Sequence, residues 1–126
     1  MAHHEQHMNP TLIGCPDCSG VLSVEKEGTE GHLRYTCHVG HSFSLHSLLE
    51  AKEDQLEEAL WSVISILQHV GTICREVKDH ADSTELRSRA QARILQVKEH
   101  EKAVRTVVEE TDPLMMESGG DAACRR

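Results

Sequence analysis

CPDC at residues 15–18 and CHVGH at residues 37–41 are the two stretches that decide the fold of this chain. Together they follow the spacing C-x2-C-x18-C-x3-H. Two thiolates from one tight turn and a second Cys/His pair are the donors that Zn²⁺ prefers in small structural sites. The sequence therefore predicts one structural zinc ion per chain. Its predicted ligands are Cys15, Cys18, Cys37 and His41.

His38 is the alternative fourth ligand. It directly follows Cys37, and neighbouring residues on an extended strand point to opposite faces, so both rarely reach one ion. His41 is therefore favoured. Four protein ligands leave no position for water, which is typical of a structural ion and not of a catalytic one. A thioredoxin-like redox pair needs a βαβ pattern around CPDC that is absent here, and iron suits four cysteines better than three with a histidine.

The chain between the two motifs reads as a β-hairpin. VLSV at residues 21–24 and LRYTC at residues 33–37 contain β-formers, and glycines stand between them at positions 28 and 31. Such a hairpin brings the second motif back beside the first. Gly20 is expected to supply the conformational freedom that the first turn needs. Residues 12–43 are therefore predicted to form a zinc-ribbon-like hairpin.

From Ser44 the pattern becomes helical. Apolar residues recur at three- and four-residue steps in two series. The first is Leu45, Leu48, Leu49, Leu56, Leu60, Ile64, Leu67, Gly71, Cys74 and Val77, and the second is Leu86, Ala90, Ile94, Val97, Val104 and Val108. The period lapses around residues 79–85, so residues 44–111 are predicted to form a long antiparallel helical hairpin. The fold class is thus a small, metal-bound α+β protein.

Cap signals mark where the two helices begin. Ser44 and Ser47 are equally good caps for the first helix, and Asp82 stands three residues before Glu85 at the second. Gly71 inside the first helix indicates a bend or a close helix contact, although a tolerated surface glycine is the more ordinary interpretation. A helical hairpin on its own leaves part of its apolar surface exposed to solvent. We therefore expect it to pack on the zinc segment, pair with a second copy as a homodimer, or bind a protein partner.

Composition sets the limits of the fold. Hydrophobic residues make up 38% of the chain but aromatics only 2%, so a stable core needs long helices or a metal. Residues 1–11 read as a flexible, His-containing tail and residues 112–126 as a second flexible tail.

Charge and cysteine usage exclude several classes. The formal net charge is −8 with no basic stripe, which argues against nucleic acid as the main partner. No run is long and apolar enough for a membrane span or a secretory signal, so a cytoplasmic protein is expected. Five cysteines are an odd number, and three have metal-like spacing, so a disulfide framework fits poorly.

The other residues of types that often form functional sites are better explained as core or surface residues, except for Trp61, which stays open. Cys74 lies on the apolar series and is predicted to be a small core residue. Trp61 either closes the core or anchors an interface, and the pattern does not separate the two. The acidic run from Glu50 to Glu58 lacks the second Glu-x-x-His arm of a diiron site, so it is expected to be a solvated face. His69, His80 and His100 are expected to be exposed.

Four motifs carry a family resemblance: CPDC, CHVGH, the SLL at the helix start and EEALW. Over about residues 13–110 the chain resembles the C-terminal extension of bacterial chemotaxis methylesterase-like proteins. It departs at Ser19, where that extension usually has glycine, and at His38, where a basic residue is common. The resemblance carries the metal-ligand motif onto Cys15, Cys18, Cys37 and His41. No G-x-S-x-G turn and no plausible Ser/His/Asp set is present, so the esterase activity is not carried over and no catalytic residue is predicted.

These observations lead to a non-catalytic, zinc-binding module of bacterial signalling or stress response that works by protein-protein interaction. The alternative is a thiol-zinc redox switch, in which oxidation of the ligands releases the metal. A zinc-ribbon transcriptional regulator is a further alternative that rests on fold analogy alone, and the acidic charge weakens it.

Overall fold

The structure, a computed structural model, describes residues 9–111, which form four strands followed by two helices. The elements are β1 (Asn9–Gly14), β2 (Val21–Glu27), β3 (His32–Cys37), β4 (Ser42–Ser44), α1 (Leu45–Asp79) and α2 (Thr84–Glu110). The predicted α+β class is confirmed. Within the described range the chain divides into two compact units, residues 9–55 and residues 56–111. Of the tail predicted at residues 1–11, residues 1–8 lie outside the described residues, and so does the whole tail predicted at residues 112–126.

The strands form one antiparallel sheet in the order β1-β2-β3-β4. The predicted β2–β3 hairpin is present, with Leu22 opposite Cys37 and Glu27 opposite His32. Gly28 and Gly31 turn it with φ of 72° and 73°, a backbone region that a side chain disfavours.

The sheet is larger than the sequence indicated. β1 starts at Asn9, inside the segment that composition assigned to a tail, and β4 was not predicted. The Thr11 hydroxyl ties β1 to β2 by donating to the Leu22 carbonyl at 2.8 Å. β1 carries no alternating apolar pattern, and β4 has only three residues, too few for a pattern to predict a strand, so pairing with neighbouring strands produces them.

The core of the first unit lies on one face of this sheet. Because side chains alternate along a strand, the partners on β2 and β3 present a common apolar face. The buried cluster consists of Cys15, Leu22, Tyr35, Cys37 and Leu48, with Val24, Leu33 and Phe43 packed against it. Two predicted metal ligands therefore belong to the core, and the first turns of α1 close it through Leu48.

The second unit is an antiparallel helical hairpin. Cross-helix contacts run in opposite directions along the two helices: the Gln68 amide donates to Glu101 at 2.9 Å, and Lys78 donates to Gln91 at 2.6 Å. The predicted seam is present in its middle, where the buried residues are Ile64, Gly71, Ala90, Ile94 and Val97. Its ends differ from the prediction, because Leu56, Val77 and Leu86 are exposed.

Gly71 is a glycine of the helix contact and not a surface one. Gly71 is buried, and a Cβ added there would lie 3.5 Å from Val97 Cγ1, an ordinary van der Waals distance, so the position faces α2 and has room for a methyl group. The expectation of a tolerated surface glycine was therefore wrong.

The caps resolve two alternatives. At α1, Ser44 Oγ accepts from the Ser47 amide at 3.1 Å while Ser47 Oγ accepts from the Ser44 amide at 2.9 Å, so Ser44 caps and Ser47 reciprocates. At α2 the cap is Ser83 and not Asp82. Ser83 has extended backbone angles, and its side chain accepts from the Leu86 amide at 3.1 Å.

Candidate metal centre

The sheet topology brings the two motifs to one place. In an antiparallel meander, alternate turns lie at the same end of the sheet. The CPDC turn joins β1 to β2, and the CHVGH turn joins β3 to β4, so both lie at that end. They meet over the first residues of β2, the strand that separates β1 from β3.

The donor atoms form a compact group. The sulfurs of Cys15, Cys18 and Cys37 and a ring nitrogen of His41 all lie within 4.8 Å of one another. In residues 9–111 it is the one group of three or more Cys, His, Asp or Glu side chains close enough to hold a metal ion. The acidic run from Glu50 to Glu58 forms no such group.

The distances between the donor atoms match those between the ligands of a tetrahedral ion. Ligands bonded to such an ion at about 2.3 Å stand about 3.8 Å apart. The Sγ atoms of Cys18 and Cys37 are 3.7 Å apart. His41 Nδ1 lies 3.6 Å from Cys15 Sγ and 3.3 Å from Cys37 Sγ. The four residues could therefore hold a metal with all four corners filled, and His41 would ligate through Nδ1.

His38 does not belong to this group. Its side chain is exposed. Gly40, with φ of 107°, turns the chain between the two histidines, and its amide donates to the Cys37 carbonyl at 3.0 Å. The turn brings His41, and not His38, to the Cys37 sulfur, although His38 lies in this turn and not on the extended strand that the alternation argument assumed.

Backbone amides surround the sulfurs. The Asp17 amide donates to Cys15 Sγ at 3.4 Å, and the His41 amide donates to Cys37 Sγ at 3.3 Å. Amide donors stabilise a thiolate because they place positive dipole ends against its charge. Both ligand-bearing turns therefore carry amides that point at a sulfur.

The pKa values of the neighbouring Cys37 and Cys18 thiols shift in opposite directions. Desolvation raises the pKa of Cys37, but hydrogen bonds from the amides of His41 and Val39, the Cys18 thiol and the Gly40 amide lower it to about 6. The Gly20 amide lowers the pKa of Cys18, but desolvation and the nearby Cys37 and Cys15 raise it overall. Of these two sulfurs, that of Cys37 more readily becomes the thiolate that a metal ion binds.

The strained residue of the first turn is Ser19. Its φ is 65°, the left-handed region, while Gly20 next to it does not have positive φ. The expectation that Gly20 supplies the turn's freedom was therefore wrong. The Ser19 amide donates to the Cys15 carbonyl at 2.8 Å, and the Cys15 amide donates to the Gly20 carbonyl at 2.6 Å, and these two bonds hold Ser19 in that conformation.

Replacing Ser19 with glycine is expected to stabilise the first unit by about 1 kcal/mol, because glycine adopts the left-handed region without a Cβ penalty. Hydrogen exchange of the β2 and β3 amides in the metal-loaded protein measures the change. Ser23→Gly on β2 is the control and should destabilise instead, since its backbone is extended. Slower exchange in Ser19→Gly supports the assignment of strain, and faster exchange contradicts it.

Other residues singled out by sequence lie away from the cluster. Cys74 is half-buried on the hairpin seam, and His69, His80 and His100 are exposed as expected. Trp61 is 47% exposed, with the Arg105 guanidinium 5.9 Å from its ring centroid. That geometry is a cation–π contact between the two helices.

Comparison of the chain with protein-family models, with curated proteins and with solved structures found no match. Neither helix in residues 9–111 is both long and apolar enough to cross a membrane.

Proposed function

We propose that this chain is a non-catalytic zinc-binding module of bacterial signalling or stress regulation that acts by protein-protein interaction. The observation that carries the proposal is the closed donor set, three sulfurs and one imidazole nitrogen within 4.8 Å of one another. Soft thiolates with one imidazole suit Zn²⁺, and four protein ligands leave no position for a water nucleophile. The ion would stabilise the fold by linking the two ligand-bearing turns.

The position of the cluster supports a structural role. Cys15 and Cys37 are buried in the same core as Leu22, so an ion bound there would join two turns of the sheet and complete that core. A sheet with so few bulky side chains gains much of its stability from such a link. Two ligand-bearing turns on a small antiparallel sheet also support the zinc-ribbon-like description.

Cobalt substitution tests the closed site directly. We expect one zinc per chain after purification without added metal, and an absorption spectrum typical of tetrahedral thiolate coordination after exchange to Co²⁺. His38→Ala should leave that spectrum unchanged, whereas His41→Ala should alter it. The two variants form a matched pair, because both histidines lie in the same turn.

Added azide or imidazole separates a closed site from an open one. A closed site has no free corner, so the cobalt spectrum should not shift. A shift on adding either ligand, or a purified protein without bound metal, contradicts the structural-zinc proposal.

One observation favours a second candidate, a thiol-zinc redox switch. The Cys18 side chain is exposed, and its sulfur is 3.7 Å from that of Cys37. Hydrogen peroxide would oxidise the two thiolates to one disulfide and, with two protons, be reduced to two waters, and the loss of two ligands would release zinc. Unchanged zinc content and helicity after mild peroxide treatment would exclude this candidate.

A further inference from the structure

The middle of α1 is unusually free of charge. From Ala59 to Cys74 the chain contains no Asp, Glu, Lys or Arg, although such residues make up 27% of the whole sequence. A helix without a charged face is normally covered on more than one side. One side of α1 is covered within the helical hairpin, because Ile64 and Gly71 of α1 are buried in the unit that contains α2.

A second apolar stripe runs along α1 beside that seam. Its members follow strict three- and four-residue steps and span three heptads: Leu56, Ala59, Val63, Ile66, Val70, Ile73 and Val77. Two of its members, Ile66 and Ile73, are 58% and 60% exposed. At 1.5 Å per residue, the stripe is about 32 Å long. We call it the outer stripe.

The spacing of the outer stripe is that of a packing seam and not of scattered surface residues. Apolar residues at alternating steps of three and four keep facing one partner helix over several turns. The outer stripe is rotated by roughly a quarter to a third of a turn from the seam that meets α2, given 100° per residue. Helices with two such seams are typical of bundles of three or more helices, and residues 56–111 contain two.

We propose that the outer stripe binds the outer stripe of a second copy of this chain, so that two hairpins form a four-helix bundle. The inference deepens the interaction part of the proposed function by naming the partner. It depends on the surface of α1 and not on the bound metal.

Charge favours a second copy over a different protein. A surface that meets itself brings every charge at its border close to a charge of the same sign, which is unfavourable. Over the central turns, the border positions Ser62, Ser65, His69 and Thr72 carry no permanent charge, and Glu58 and Glu76 stand only at the two ends of the stripe. A hetero-partner would instead be selected by complementary charges beside the apolar seam, and the central turns of α1 have none.

The mass of the purified full-length chain tests the proposal. Light scattering coupled to size exclusion should give twice the chain mass of 14.1 kDa at micromolar concentration. Ile66→Glu combined with Ile73→Glu should give the mass of one chain, because the stripe would then bury four unpaired carboxylates. Leu95→Glu is the matched control and should remain dimeric, since Leu95 is 54% exposed on α2 outside the outer stripe.

A milder pair of variants guards against loss of folding. Ile66→Ala with Ile73→Ala keeps good helix formers on α1 and should raise the dimer Kd about a hundredfold. Far-UV circular dichroism should show unchanged helicity in both pairs. A monomeric wild-type chain, or stripe variants that stay dimeric, overturns the proposal.

The cobalt spectrum keeps this test separate from that of the proposed function. An intact tetrahedral spectrum in a monomeric wild-type protein overturns the dimer alone. A dimeric protein without bound metal overturns the zinc proposal and leaves the dimer standing.

Discussion

Replacing Cys37 with serine is expected to abolish stoichiometric zinc binding and to unfold the sheet of residues 9–44. Cys37 is both a predicted ligand and a buried core residue, only 5% exposed. Structural zinc supplies about 10–16 kcal/mol to the folding of small domains, which is as large as the usual 5–15 kcal/mol that separates folded from unfolded chains. A sheet that depends on that contribution does not survive its loss.

Hydrogen exchange resolves this effect by region. Amides of β2 and β3 should lose protection in Cys37→Ser, while those of α2 should keep it, because the hairpin has its own core around Ile94. A metal chelator added to the wild-type protein should reproduce the same pattern. Metal analysis by mass spectrometry gives the stoichiometry.

Cys74→Ser is the matched control, because it makes the same chemical change on the hairpin seam. It should keep one zinc per chain and normal protection in the sheet. Full protection of β2 and β3 in metal-free Cys37→Ser would show that the sheet folds without the ion, and the structural role of the site would be wrong.

The second large effect is expected from Leu22→Ala. Leu22 is 0% exposed, lies opposite Cys37 across the β2–β3 ladder and belongs to the same buried cluster. Truncating a fully buried leucine costs about 2–5 kcal/mol through lost burial and the cavity left behind. The core of this unit contains few other large side chains, so neighbours have little capacity to fill the space.

Val21→Ala is the control on the adjacent residue, whose side chain points to the other face of β2. Val21 is exposed, so its truncation should change the free energy of unfolding by less than about 0.5 kcal/mol. Exchange rates of the β3 amides in the zinc-loaded proteins report both changes. Equal effects of the two substitutions would mean that Leu22 is not the centre of this core.

The effect of Leu22→Ala should also extend to the metal. The ligand-bearing turns rest on the core that Leu22 fills, so a loosened core should speed zinc loss to a chelator without changing the coordination spectrum. Val21→Ala should leave the rate of zinc loss unchanged.

Several features were accessible from local pattern. The ligand spacing identified Cys15, Cys18, Cys37 and His41 before their proximity was known, because each pair lies within one short turn. The β2–β3 hairpin was predictable from its β-formers and from Gly28 and Gly31. The two helices and their antiparallel order followed from the 3.6-residue period and the short link between them.

Other features were missed, each for a physical reason. β1 has no strand pattern of its own, β4 is too short to show one, and both form by pairing with neighbours. The left-handed conformation of Ser19 depends on two backbone hydrogen bonds, from the Ser19 amide to the Cys15 carbonyl and from the Cys15 amide to the Gly20 carbonyl. The outer stripe was hidden because Leu56 and Val77 fit the predicted seam equally well on a helical wheel, and burial alone separates the two stripes.

Pattern within a few residues or a few turns was thus sufficient for the α+β class, the candidate ligand set and the helical hairpin, because ligand spacing and helical period are local properties. The choice of Ser83 over Asp82 as the α2 cap depended on the backbone angles at the helix start, which the local pattern does not fix. The burial of Gly71 at the helix contact and of Cys37 beside Leu22 depended on the tertiary structure. Each of them is decided by which distant segments pack together, and packing is a property of the whole fold.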